Sequence, residues 1–419
     1  MESNLRLIVY PHDLSIGGSQ INAIDLAAGV AERGHEVLVY GVPGPLVDYI
    51  REKGLRFLPA HGLRYRPAPT RIVELATIAR RERVDLIHTY EWSTCLDGYF
   101  GASLALNVPL LCTVLSMQVM PYVPPSVPLI MGTAELGEEA RRGHRADVWV
   151  LEPPIDVVRD NPTINGDGFR RKHNVKDDEF LVVSVSRLAL DLKLDALVRG
   201  IDAVDTIADS QPIKLILVGD GPARNALQKR ADDVNRRHGR TVIILTGADL
   251  DPRQAYAAAD LVIGMGSSAL RALAIGRPLV VQGEQAFSEL FSPETSELFM
   301  RQGFYGLADN ARGTDRLAAQ IRSVMDQPSR RADLGRFGRH FVDKRFSLER
   351  AVAFQLEIYR RVSESRASPK LREAVRAAYL AAALEVANHN PLCKRRNRRR
   401  EKGLLAAATT GNWPPILLD

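Results

Sequence analysis

The sequence predicts two doubly wound α/β domains in series, facing a cleft and followed by a helical, basic tail. Three observations carry this expectation. Apolar runs of strand length alternate with amphipathic helical stretches from Leu5 to beyond residue 340. Polar, irregular residues 157–178 interrupt the alternation and divide it into halves of similar size. Beyond residue 362 the pattern gives way to an Ala-rich helix and a run of cations. The 419 residues, 45% hydrophobic and 25% charged, suffice for two cores. Domains are expected at 1–157 and 158–346, with 363–419 as the tail.

The first half opens with LRLIVY (5–10) as a buried strand. The loop PHDLSIGGSQ leads into a helix at 21–34, where Ile21, Ile24 and Ala28 share a face and Gly34 ends it. HEVLVYG (35–41) is the second strand, so Gly17 and Gly18 stand at the carboxyl end of the first, the edge where open α/β sheets bind ligands. GGSQ lacks the GxGxxG spacing of a dinucleotide site, and the pair could simply make the turn. Further units follow: helix 46–54 and strand RFLPA, helix 70–84 and strand DLIHTY, helix 95–107 and strand PLLCTVL. A proline-rich loop, strand LIMGT, helix ELGEEARRG and strand DVWVLEPPID (147–156) complete the half. His88, within DLIHTY, is either a polar group in the cleft or a satisfied buried histidine.

In the second half EFLVVSVSRL (179–188) is a strand, LDALVRGIDAVDTI a helix and IKLILVGDG (213–221) a strand. Helix 223–239, strand RTVIILTG and a short helix DPRQAYAAA lead to AYAAADLVIGMGSSALRALAIGRPLVV (255–281). That stretch reads as strand, glycine turn, helix, strand, with Gly276 closing the helix. The small residues Gly264, Gly266, Ser267 and Ser268 let a ligand approach backbone N–H groups at the positive end of the helix dipole. It is a phosphate site or an ordinary tight turn. Helix 314–325 and a last helix pair, 331–346 and 347–362, close the body.

The formal charge of +6 lies in the tail: KRRNRRREK (394–402) holds seven Lys/Arg and one Glu. The rest is neutral overall, so no basic groove is implied in the body. The run is a solvated tail or a contact for an anionic membrane. Nucleic acid is not expected, since no aromatics interleave the cations. Cys95, Cys112 and Cys393 are widely spaced and form no CxxC pair, and no signal peptide is expected, since LRLIVY near the start reads as a core strand. A cytoplasmic protein, at most peripheral at the membrane, is expected.

Arg187 ends a strand and Lys193 lies at the mouth of the next helix. Two cations at a sheet edge suit a diphosphate, one forked and one a movable point charge. Both could equally sit in surface ion pairs.

The order GGSQ, SRL…K, LILVGDGPARNAL, ILTG and YAAADLVIGMGSSALRALAIGRPLVV resembles the GT-B glycosyltransferases of family 4, over roughly residues 1–360. PPID (153–156) is similar to their domain crossing, and 347–362 to the helix that returns to the N-terminal domain. The resemblance implies a GT-B fold of two Rossmann-like domains. It implies a nucleotide-sugar donor on the C-terminal domain, an acceptor on the N-terminal one, retention of configuration, and no cofactor or catalytic metal. No HExxH, DxD or paired-cysteine ligand set is present. Carried over, Arg187 and Lys193 neutralise the donor diphosphate. Gly247, Gly266, Ser267 and Ser268 line the donor site, with Gly17 and Gly18 beneath the distal phosphate and Ser19, Gln20 and His88 on the acceptor side. The family's Glu-x7-Glu is absent: Arg271 stands at the second Glu, Ile263 eight residues earlier, and Leu115 near the family's histidine. Glu284 is a substitute carboxylate or a surface loop residue; Arg271 either adds a third cation to the donor diphosphate or pairs with a carboxylate such as Glu284. Two other functions fit: a GT-B-like binding protein without transfer, and a nucleotide-sugar epimerase.

Overall fold

The computed structural model describes residues 4–62, 68–116, 118–143, 145, 147–307, 313–365 and 371–410. It divides into two compact units. The first is built from the chain up to Asp156 and from Ser347–Lys394; the second is built from Val157–Phe346 and the chain from Arg395.

The first unit contains β1 (Arg6–Tyr10), α1 (Gly18–Ala31), β2 (Glu36–Gly41), α2 (Val47–Glu52), β3 (Arg56–Pro59), α3 (Pro69–Arg81) and β4 (Leu86–Tyr90). Helix α4 (Glu91–Gly98) runs through a π-helical stretch (Tyr99–Ser103) into α5 (Leu104–Leu106). Strands β5 (Leu110–Val114) and β6 (Leu129–Met131), helix α6 (Ala134–Arg142) and strand β7 (Val148–Val150) follow. The sheet order is β3-β2-β1-β4-β5-β6-β7, parallel throughout. Leu7 and Val9 face one core and Ile8 and Tyr10 the other, the period of two that a strand buried on both faces requires.

The second unit opens with α7 (Asp167–Lys172), a short helix inside the stretch expected to be irregular. Gly166 allows it to dock, since a Cβ there would come within 2.2 Å of the Ala258 nitrogen. Then come β8 (Phe180–Val185), α8 (Leu194–Ala208), β9 (Ile213–Val218), α9 (Arg224–His238), β10 (Ile243–Gly247), α10 (Arg253–Ala258), β11 (Leu261–Gly264), α11 (Ser267–Ala274), β12 (Leu279–Gln282) and β13 (Ser288–Leu290). Helices α12 (Ser296–Gln302), α13 (Gly313–Met325) and α14 (Pro328–Arg345) complete it. The sheet order is β10-β9-β8-β11-β12-β13, parallel except at β13. The strand order reverses between β8 and β11, which makes that edge the topological switch point.

Helix α15 (Leu348–Glu364) returns to the first unit, where Val352, Ile358 and Tyr359 join its core. Gly29 lets it close on α1, since a Cβ there would lie 2.5 Å from Val352 Cγ2. The tail is not a separate body. In α16 (Leu371–His389), Ala374, Ala377 and Ala381 fall on one face and are buried in the first unit. In α17 (Pro391–Thr410), Ala408 joins the core of the second unit and Leu404 and Leu405 pack against it. The basic run is helical, and its exposed residues include Arg395, Arg396, Arg398, Arg399 and Arg400. The tail expected as one segment is thus divided, because its small apolar residues fit two different cores.

Candidate functional site

The loops after β8 and β11 flank the switch point of the second sheet. The first carries Arg187, two residues past β8, and Lys193, which stands at the N-terminus of α8. Its path is held from below by the VGDG turn. Ser186 N–H donates to Val218 O at 3.0 Å, Leu188 N–H to Asp220 O at 2.9 Å, and Ala223 N–H to Leu188 O at 3.0 Å. Two glycines make this approach feasible. Gly219 (φ 150°) and Gly221 (φ 156°) would each drive a Cβ into a carbonyl, at 1.9 Å from Ser186 O and 2.5 Å from Leu188 O. Leu192, just before Lys193, takes φ 62°, an uncommon backbone for a non-glycine and one that clusters at ligand sites.

Neither Arg187 nor Lys193 has an ion pair or side-chain hydrogen bond among the described residues. Lys193 is pushed down to about 8, by burial first and by the nearby Arg187 charge second. Two adjacent cations without counter-charge form a site that favours an anion. A third cation lies at the same sheet edge. Arg224, at the start of α9, has a buried Nη1 without a hydrogen-bond partner, 3.6 Å from where a Cβ on Gly247 would be. Arg224 was not singled out in the sequence; only its place after GDGP, at a helix start, marked it.

The GMGSS turn is less open than its small residues suggest. Gly266 takes φ 59° before α11, but its N–H donates to Phe304 O at 2.7 Å and is therefore occupied. The Ser268 hydroxyl donates to Val185 O at 2.7 Å and accepts from the Tyr256 hydroxyl at 3.0 Å. It tacks the helix mouth to the end of β8 and is not free for a ligand. Ser267 and the first-turn backbone remain the candidate anion contacts at this mouth.

Arg271 does not pair with Glu284. Its Nε lies 3.6 Å from the Asp160 carboxylate, which is buried. This anion in the segment entering the second unit offsets the unfavourable position of a cation near the helix start. Glu284 instead accepts a hydrogen bond from the Tyr305 hydroxyl, and its N–H donates to Gly306 O at 3.0 Å. Gln285 and Ala286 follow with φ 51° and 69°. The turn is held by the buried Arg199, which donates to Gly283 O and Phe287 O, each at 2.9 Å, and pairs with Asp195 at 2.6 Å. Residues 303–307 thus brace the ends of both β11 and β12, a pairing with no periodic signature.

In the first unit Gly17 precedes α1, with Gly18 and Ser19 in its first turn. Ser19 Oγ is buried without a hydrogen-bond partner. Gln20 is not presented to an acceptor. Its amide bonds Asp13 Oδ1 at 2.7 Å and His12 Nε2 at 3.1 Å, bracing the loop after β1. His88 is fully buried, 2.8 Å from the Tyr359 hydroxyl through Nδ1 and 2.7 Å from Thr113 Oγ1 through Nε2. Burial holds it down at about 3, so it is a neutral core residue. Glu91 was missed. It follows β4 as the first residue of α4, with φ 70°, and accepts from the N–H groups of Leu115 (2.9 Å) and Ser116 (3.0 Å) and from the Ser116 hydroxyl (2.7 Å).

Two family models match the chain in the order of its units. Glycosyltransferase Family 4 matches residues 16–125 and Glycosyl transferases group 1 matches residues 167–341, together well over half of the sequence. The chain belongs to the GT-B glycosyltransferases of family 4. It is a glycosyltransferase that uses a nucleotide sugar. An uncharacterized glycosyltransferase of Methanocaldococcus jannaschii is 24% identical over 332 residues, 68% of this chain and 81% of that one. The alpha-monoglucosyldiacylglycerol synthase of Streptococcus pneumoniae is 25% identical over 251 residues, 51% of this chain and 55% of that one. The fold of the transferase is that of an Anabaena protein, HepE, solved with UDP and glucose (TM-score 0.67, 17% identity, covering 85% of this chain and 100% of that one). No helix among the transferase's described residues is long and apolar enough to cross a membrane.

Proposed function

We propose that the transferase moves a hexose from a nucleoside-diphosphate sugar to an acceptor hydroxyl with retention of anomeric configuration. The bond between the anomeric carbon and the β-phosphate oxygen breaks, and a bond to the acceptor oxygen forms. The nucleoside diphosphate leaves and the acceptor proton is released. Arg187 and Lys193 neutralise the departing diphosphate, so the reading needs no catalytic metal and no cofactor besides the donor. The observation that carries it is the pair of adjacent cations, without counter-charge among the described residues, at the switch point of the second sheet. Arg224, Gly247 and the first turn of α11 extend the donor site, with Glu284 in the adjoining loop.

The acceptor is proposed to lie at a membrane surface on the cytoplasmic side, with the basic run 394–402, exposed over 395–402, in contact with anionic lipid. The exposure of the run supports this, as does the name of the Streptococcus relative, a synthase of a diacylglycerol glycolipid.

The test is a panel of nucleoside diphosphates and their sugars, read by thermal shift and by donor breakdown. Arg187→Ala and Lys193→Ala are expected to lower donor use roughly tenfold or more each. A charge-assisted hydrogen bond is worth about 1.5–3 kcal/mol. Their melting temperatures should stay near that of the natural chain. Undiminished donor use in both variants rejects the site.

A further inference from the structure

Helix α16 is apolar on two faces. One packs inward, with Ala377 and Ala381 buried against Leu96 and Tyr122, and Glu373 accepts a hydrogen bond from Ser126 N–H at 3.1 Å. The other face carries Leu371, Val375, Tyr379 and Val386, which are 73%, 64%, 72% and 73% exposed. Steps of four, four and seven residues hold these four on one narrow stripe. Arg372 and Arg376 run along an edge of the stripe, both exposed and without an acidic partner among the described residues. Single exposed apolar residues need no explanation, but four in line on a helix already anchored by its opposite face are a surface awaiting an occupant.

The charge pattern selects the occupant. A second copy of α16 would bring its own arginines to the stripe, while its two carboxylates are already engaged, Glu373 by Ser126 N–H and Glu385 by His389 at 3.6 Å. A helix lying in a lipid interface has this pattern, an apolar stripe edged by cations. The chain continues through Asn390 into α17, where Arg395, Arg396, Arg398, Arg399, Arg400 and Lys402 are exposed. We propose that α16 docks on a lipid surface with anionic headgroups. Leu371, Val375, Tyr379 and Val386 enter the acyl boundary, and Arg372 and Arg376 stay at headgroup level. This rests on the membrane contact proposed for the basic run and adds the apolar element that run lacks. It is also independent of which sugar or acceptor the transferase uses.

The experiment compares the full chain with two variants on phosphatidylglycerol–phosphatidylcholine vesicles and on phosphatidylcholine alone. One variant is Val375→Asp with Tyr379→Asp; the other is Arg398→Gln, Arg399→Gln and Arg400→Gln. A further variant, Tyr379→Trp, reports insertion by its emission. The natural chain should sediment with the anionic vesicles, and a fraction should stay bound at high salt, where surface charge is screened. The stripe variant should bind about tenfold or more weakly. Its melting temperature and its donor turnover with a soluble acceptor should not change. The introduced indole should shift to the blue on vesicles. Loss of binding in the stripe variant with none in the Arg→Gln variant supports the stripe and removes the basic-run contact. Equal binding by the stripe variant, or no emission shift in bound protein, overturns the proposal. A change in the native mass of the stripe variant without vesicles also overturns it, by assigning the stripe to a second copy.

Discussion

Lys193 has the environment to report its ligand. Burial and the Arg187 charge hold the folded lysine at about 8 against an ordinary value near 10.5. The unfolded chain therefore binds more protons between these values, and folding stability should rise with pH across that window. A nucleoside diphosphate bound at the proposed site should restore the charged form and take up a proton above pH 8. Affinity is expected to be flat below about 8 and to weaken up to about tenfold per pH unit above it. Calorimetry in buffers of different ionisation enthalpy measures the uptake, and Lys193→Gln should abolish it. Arg271 makes the second prediction. Arg271→Ala and Asp160→Asn should each cost about 1–3 kcal/mol, and the double variant should lose less than the sum because the two groups share one interaction. Arg271→Ala with Glu284→Ala should be additive. Denaturant curves of the two cycles decide between the partners.

At the scale of elements, His88 ties the returning helix to the first sheet. Gln355 Nε2 donates to the Tyr359 hydroxyl at 2.7 Å, leaving that hydroxyl to donate to His88 Nδ1. His88 Nε2–H then donates to Thr113, so β4, β5 and α15 are stitched through one neutral ring. Protonation breaks the pattern. With the folded value at about 3 and the ordinary value at 6.5, the stability penalty is absent above 6.5 and grows as pH falls. The natural chain should lose up to roughly 1.4 kcal/mol per pH unit between these limits. His88→Gln should show a shallower slope after allowing for its lower stability at neutral pH. Parallel slopes would reject the tether. The strand at DLIHTY follows from its apolar residues, but which neighbour satisfies a histidine inside it depends on a residue more than 250 positions away.

At the scale of the molecule, neither unit is contiguous in sequence. The first recruits α15 and α16 from beyond α14, and the second recruits α17 from Arg395 onward. Ending the chain at residue 362 should therefore destabilise the protein. The deletion removes Ala374, Ala377, Ala381 and Ala408 from buried positions, and at about 0.8 kcal/mol per buried methyl-sized group the loss is roughly 2–4 kcal/mol. Thermal or denaturant unfolding measures it, and an unchanged midpoint rejects the packing assigned to the tail. The same reasoning makes substitutions, not deletions, the proper test of what the exposed faces of α16 and α17 bind.

Local pattern alone determined the parallel strands, most of their helices, the division near residue 157 and the positions of Arg187 after a strand and Lys193 at a helix start. Each rests on periodicity or on position at a strand end, and both properties are carried by neighbours in the chain. The departures of the site were decided only by tertiary structure. Phe304 occupies the Gly266 N–H, Val185 holds Ser268, Asp160 answers Arg271, and Tyr305 answers Glu284. In each case two polar groups far apart in sequence satisfy one another on burial. A buried donor or acceptor must find a partner, but nothing in its own neighbourhood says which one.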